Sequence, residues 1–233
     1  MAAAAIPGLD NAIWASLTGP QSHLAQGAGL ALRYRSDVSI LAAVADTSAQ
    51  AMADLAALVP ADGGVILAQS FEIPVPAGVD CTMTAMACQM VGQVDDRPIR
   101  PAGEIAPLTQ DDWPEMLALA TLTQPGPFLL ETPRLGDYFG VKQDGVLIAM
   151  AGVRMRLPGY TEISAICTHP DHRGRGLGTA LCLFMRNRLV AQGQVPFLHA
   201  YQSNTAAIRL YETLGFVKSR DIFVTQFSKA KGA

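Results

Sequence analysis

Arg173-Gly174-Arg175-Gly176-Leu177-Gly178-Thr179 is the stretch whose reading decides how this chain folds. It separates a β-rich run, Glu162-Ile163-Ser164-Ala165-Ile166-Cys167-Thr168, from a segment over 176–192 whose Leu177, Leu181, Phe184 and Leu189 recur at helical spacing. Glycines let the backbone approach a ligand closely, so successive N–H groups can turn inward on an anion at the positive end of a helix. Arg173 and Arg175 add charge-assisted bonds to phosphate oxygens. Two familiar phosphate loops are excluded. A Walker loop needs Gly-Lys-Ser/Thr, and no lysine lies here. A dinucleotide fingerprint needs a third glycine where Thr179 stands and an acidic residue ~20 positions on, and none occurs between Asp171 and Glu212.

Working outward, Asn204-x-x-Ala207-x-x-x-Tyr211-x-x-x-Gly215-Phe216 reads as a helix with Asn204 as its N-cap and Gly215 just past its end. Asn204, Ala207 and Tyr211 share one helix face. Before the loop, strands are expected over 138–142 and 146–156, joined by Asp144-Gly145, then Pro158-Gly159 and a strand over 162–168. After it come a strand over 197–201 and strands around Phe216 and over 222–227. Further upstream, Pro114 opens a helix running to about Leu122, and Gln124-Pro125-Gly126-Pro127 is a loop. Alternation of hairpin strands with helical crossovers predicts a mixed α/β sheet.

The first half is plainer. A helix is expected over 9–17, strands over 29–34 and 40–45, and a helix over 48–58 capped by Ser48 or Thr47 and stopped by Pro60. Strands over 64–69 and 81–91 follow, with Met83, Met86 and Met90 as core filler. Residues 1–97 carry three basic and nine acidic side chains, net −6, while residues 98–233 carry fourteen and eleven, net +3, giving the chain's −3. A mildly basic half suits a small polyanion better than DNA. The polar, Pro/Gly-punctuated run at 98–103 reads as a linker. With 50% apolar and 16% charged residues the chain buries a large core, which excludes disorder. No apolar run approaches the ~18 residues that span lipid. Cys81, Cys88, Cys167 and Cys182 form no Cys-x-x-Cys pair, which fits reduced thiols and a cytoplasmic location.

The pair Arg173-x-x-Gly176-x-Gly178 and Asn204-x-x-Ala207-x-x-x-Tyr211-x-x-x-Gly215-Phe216 resembles the GNAT superfamily of acyl-CoA-dependent N-acyltransferases over roughly 104–227. The second half is most similar to the branch that includes glycine N-acyltransferase-like proteins. That resemblance implies a mixed, mostly antiparallel central sheet flanked by helices, as the acetyltransferase domain at 104–233. A degenerate α/β companion half at 1–97, without a cofactor motif, would pack against it. It also implies acetyl-CoA as co-substrate. Ile166, Cys167 and Thr168 would offer backbone groups to the pantetheine arm. The loop from Arg173 and Gly174 through Arg175, Gly176, Leu177, Gly178 and Thr179 would hold the pyrophosphate. Asn204, on the face it shares with Ala207, would touch the arm, and Tyr211 would sit beside the thioester sulfur.

Aminolysis of a thioester needs a deprotonated amine, a polarised carbonyl and a proton for the departing thiolate. Tyrosine suits the last task, because its hydroxyl stays protonated at pH 7. The general base is open between Glu162, which on a regular strand shares a face with Ser164, Ile166 and Thr168, and His199, with ordered water as a third route. His169, Asp171 and His172 read as helix entry or phosphate contacts, so no metal is expected. Cys167 is read as a backbone contributor rather than a nucleophile, and Arg186 and Arg188 as the solvated face of a long helix. The reading is acetyl transfer to a primary amine of a small molecule or peptide, by a monomer or homodimer with no nucleic-acid or membrane partner. A catalytically idle acyl-CoA-binding sensor is the alternative. The acceptor is expected beside residues 124–128 and near Phe223, with acidic side chains at the cleft mouth drawing in cationic amines.

Overall fold

In the computed structural model, which describes residues 8–93 and 103–230, local chemistry sets most element boundaries. The Ser48 hydroxyl accepts from the Ala51 N–H and starts helix α2, Ala49–Leu58, which stops short of Pro60; α1, Ala12–Leu17, precedes it. Pro114 sits in the first turn of α3, Trp113–Thr123, which ends on a left-handed Gln124. Asn204 caps α5, Thr205–Thr213, through its side-chain oxygen and the Ala207 N–H, 3.1 Å apart. Between these lies the long α4, Leu177–Ala191.

Strands β1, Ala25–Ala28, β2, Ala31–Tyr34, and β3, Ala42–Val44, make a small antiparallel sheet. The first of these, with its sequence Ala-Gln-Gly-Ala, carries no apolar pattern that would announce it. The remaining strands are β4, Val65–Gln69; β5, Val79–Gly92; β6, Ala106–Pro107; β7, Tyr138–Gln143; β8, Val146–Leu157; β9, Tyr160–Thr168; β10, Val195–Tyr201; and β11, Phe216–Lys229. They form one eight-stranded sheet in the order β4-β11-β5-β10-β9-β8-β7-β6, antiparallel except for the β9–β10 pair. This is the mixed, mostly antiparallel sheet flanked by helices that was expected. β11 is one strand rather than two, because a bulge between Lys218 and Arg220 lets it bend without breaking.

Two strands of this sheet come from residues 1–97. β5 lies between β10 and β11, pairing with the first from Ala87 to Val91 and with the second along almost its whole length. The division expected at 98–103 therefore runs through one sheet instead of between two companion halves. Apart from Gly103, the linker itself lies outside the described residues. Side-chain bonds reinforce the joint: buried Gln21 donates from Nε2 to the carbonyls of Leu135 at 2.8 Å and Arg154 at 3.1 Å.

Two irregularities open the sheet at its centre. β9 and β10 pair only from Tyr160 to Glu162 and from Val195 to Phe197, and then they part. In β9, Ala165 takes a left-handed φ of 52°, and the register against β8 slips between Ser164 and Cys167. This bulge reverses the strand's alternation. Ile163 and Ile166 accordingly face the core under α4, while Ala165 and Cys167 face the core under α3. The sequence expectation that Glu162 shares a face with Ile166 and Thr168 fails for this reason. A second correction concerns Arg186, which is 1% exposed and donates from Nη1 to the Leu214 carbonyl at 2.6 Å. It ties α4 to the end of α5, whereas Arg188 lies over the Phe139 ring, 4.9 Å from its centroid.

Candidate active site

The glycine loop leads directly into α4. Gly174 and Gly176 have φ of 76° and 75°, and Gly176 is the N-cap. A Cβ on either would meet no other part of the protein within 4 Å, so within the chain it is the left-handed turn that calls for glycine. The loop leaves the first N–H groups of α4 unpaired at the positive end of the helix, which is the requirement for holding a pyrophosphate. Arg173 is exposed and pairs with no acid among the described residues, while Arg175 donates from Nη1 to Gln143 at 2.9 Å and lies 2.8 Å from His172 Nδ1. His169 caps the short turn before the loop by accepting the Asp171 N–H, the helix-entry role expected of it.

From the loop, a cleft of about 390 Å³ runs into the gap between β9 and β10. Ile166, Cys167, Thr168 and Gly178 line one wall; Asn204, Ala207 and Tyr211 line the other. Parted strands leave backbone N–H and C=O groups without sheet partners, and an extended ligand arm can take them up. The structure thus gathers these residues around one cavity. Burial pushes the Tyr211 phenol above its ordinary value, with the nearby Cys182 adding to it, so the hydroxyl stays a proton donor. Burial likewise pushes the Cys167 thiol up to about 11, which keeps it out of nucleophilic chemistry.

Glu162 and His199 belong to one buried chain of bonds. His199 Nδ1 lies 2.8 Å from Glu162 Oε1, and Arg154 forks onto the same carboxylate, Nη2 to Oε1 at 2.5 Å and Nε to Oε2 at 2.8 Å. Burial alone would raise the Glu162 carboxyl, but the charge and hydrogen bonds of Arg154, aided by His199, hold it down to about 2. Such a carboxylate, 0% exposed, is a poor proton acceptor. On the other side of the ring, Gln89 Nε2 lies 3.2 Å from His199 Nε2 and donates to the Leu9 carbonyl at 2.8 Å. That carbonyl accepts only, so it fixes the amide orientation. The amide nitrogen then faces Nε2, while Nδ1 faces the Glu162 carboxylate.

Gln89, Arg154 and the cleft's far wall were not singled out from sequence. Ile13, Leu41, Ile66, Ala68 and Ala87, all from the first 97 residues, line that wall with Ile222 and Val224 of β11. Gln124 through Pro127 close the cleft beside Arg154, at the place expected for the acceptor. Expected acidic residues at the mouth are not there: the described lining holds no Asp or Glu. A polar Gln89 inside the apolar run Ala87-Cys88-Gln89-Met90-Val91 was the one available signal. Among the described residues, no helix is long and apolar enough to cross a membrane.

Comparison with known proteins places this geometry. A family model described as FR47-like protein matches residues 138–224. The crystal structure of an acetyltransferase from the GNAT family of Novosphingobium aromaticivorans DSM 12444 is 39% identical, covering 97% of this chain and 100% of that one, with a TM-score of 0.88. A GCN5-related N-acetyltransferase from Kribbella flavida shares the fold at 18% identity and a TM-score of 0.67, over 94% of this chain and 95% of that one. Among curated proteins, N-alpha-acetyltransferase RimI of Mycobacterium tuberculosis is 31% identical over 110 residues, which is 46% of this chain. The match spans 62% of that protein's own length.

Proposed function

As a member of the GNAT family of acetyltransferases, to which this chain belongs, we propose that it moves an acetyl group from acetyl-CoA directly to a primary amine of a small molecule or peptide. The observation that carries this is the cleft that runs from Gly178, at the end of the glycine loop, past the parted β9 and β10 and Tyr211 to an apolar chamber on the far side. Acetyl-CoA supplies the activated acyl group as a thioester. The first N–H groups of α4 with Arg173 hold its pyrophosphate, and the free strand edges at residues 166–168 orient its arm. Tyr211 gives its proton to the departing thiolate.

Between the two base candidates, His199 fits the proton-accepting role better. Its Nε2 faces only a neutral amide, whereas Glu162 is locked to Arg154. Glu162 then holds the ring and stabilises the imidazolium. Gln89 Oε1 is buried with no partner among the described residues. Rotation of that amide, at the cost of its bond to Leu9, would present Oε1 to a newly protonated Nε2.

The test combines calorimetry with acetyl-CoA and thiol release across a broad set of amines, on the wild type and on His199→Gln. Amine-dependent thiol release, with a kcat that falls in His199→Gln while acetyl-CoA affinity is kept, is expected. Tight acetyl-CoA binding with no turnover of any amine would instead make the protein an acyl-CoA sensor, a reading that the fully bonded Glu162 favours. Turnover that proceeds through an acetylated protein residue would refute direct transfer.

A further inference from the structure

The Arg154 guanidinium spends two of its three nitrogens on Glu162. The third, Nη1, donates to no described residue. A Cβ placed on Gly126 would lie 3.9 Å from it, so Nη1 looks toward the loop that closes the acceptor end of the cleft. The pair is also one-sided. Glu162 is 0% exposed and absent from the cleft wall, while the Arg154 side chain is 19% exposed and part of it. A ligand therefore meets the cationic end of a buried dipole. Arg154 is the one permanently charged side chain among the described residues lining the cleft. Beside it, Arg154 and Ser164 line a side pouch of about 10 Å³, room for roughly one oxygen-sized group. Beyond it the walls are Ile13, Leu41, Ile66, Ile222 and Val224, all apolar.

A dry guanidinium with a free N–H strongly favours a carboxylate and disfavours a second cation. An apolar chamber beside it favours a hydrocarbon side chain. Resting on the acetyl-transfer reading above, we propose that the acceptor is an amino acid with an apolar side chain, its carboxylate held by Arg154 Nη1 and its amine directed at the thioester. The carboxylate anchors the small molecule, and the side chain fills the wall built by the first 97 residues. In the reaction the amine nitrogen forms the new N–C bond and the C–S bond breaks. The ammonium gives up two protons, one appearing on the thiol and one in solvent. No further reactant is needed.

The test compares kcat/KM on the full-length protein for L-leucine and L-phenylalanine with isoamylamine and phenethylamine, which lack only the carboxylate. Leucinamide and a leucine-initiated peptide complete the set. Amino acids are expected to exceed their decarboxylated partners by about 10- to 100-fold, the range of one charge-assisted bond. In Arg154→Lys, which keeps a cation for Glu162 but loses the fork, that ratio should fall toward one, chiefly through KM for the amino acid. If the variant fails to fold, the wild-type series decides alone. Equal or better use of the decarboxylated amines, or acceptance of the peptide alone, overturns the proposal while leaving acetyl transfer intact. No turnover of any amine despite acetyl-CoA binding overturns both.

Discussion

Replacing Glu162 with Gln tests the electrostatic reasoning at its most exposed point. The change keeps size and shape, removes one charge, and leaves Arg154 with its side chain only 19% exposed and no anion. The carboxyl sits at about 2 instead of 4.5. Converted at about 1.4 kcal/mol per pH unit, that displacement is worth about 3 kcal/mol of stability. Breaking a buried ion pair by removing one partner costs a similar ~3–5 kcal/mol. The sign follows from the direction. A carboxyl depressed in the folded state stabilises fully above its unfolded value and loses that contribution as pH falls toward the folded value. The wild type should therefore exceed Glu162→Gln by about 3 kcal/mol at pH 7. For a chain this long that is roughly 6–12 °C in Tm. The gap should close progressively below about pH 4.5. Urea melts of both proteins at several pH values, followed by the fluorescence of Trp14 and Trp113, measure it. A gap below about 1 kcal/mol at pH 7, or one that widens on acidification, would refute the reasoning.

Three further outcomes are expected. Tyr211→Phe should leave acetyl-CoA affinity intact and lower kcat by on the order of 100-fold, because its hydroxyl acts only as the thiolate departs; a loss confined to KM would reduce it to a binding residue. Arg173→Ala should weaken acetyl-CoA binding by about 1.5–3 kcal/mol in calorimetry, through loss of a charge-assisted phosphate contact, and unchanged affinity in a folded variant would remove it from the site. Residues 98–233 expressed alone should aggregate or fail to turn over any acceptor, since without β5 the strands β10 and β11 face each other across an empty strand position; a soluble, fully active fragment of unchanged thermal stability would show the first half to be dispensable.

Local chemistry made much of this protein legible in advance. Glycine torsions, the Asn204 cap, the Pro114 helix start and the apolar period of α4 are short-range facts, and each sits where its sequence placed it. Membership of the GNAT family was readable too, since the glycine loop and its partner helix are written as contiguous motifs. Three features were not. The bulge at Ala165 depends on how β9 meets β8, so the face of Ile166 and Thr168 could not be read from alternation alone. Arg186 reads as a surface charge on its own helix, yet it is buried and donates to the Leu214 carbonyl at the end of α5, a partner 28 residues away. Gln89 lies 110 residues from His199 in sequence, and only the insertion of β5 beside β10 makes them cross-strand neighbours. Sequence by itself determined the local geometry of the glycine loop, because a helix end and two glycines carry their conformation with them. Tertiary structure alone decided the far wall of the cleft and the Arg154–Glu162–His199–Gln89 chain, because those arise where strands distant in the chain share one sheet and bury their polar groups together.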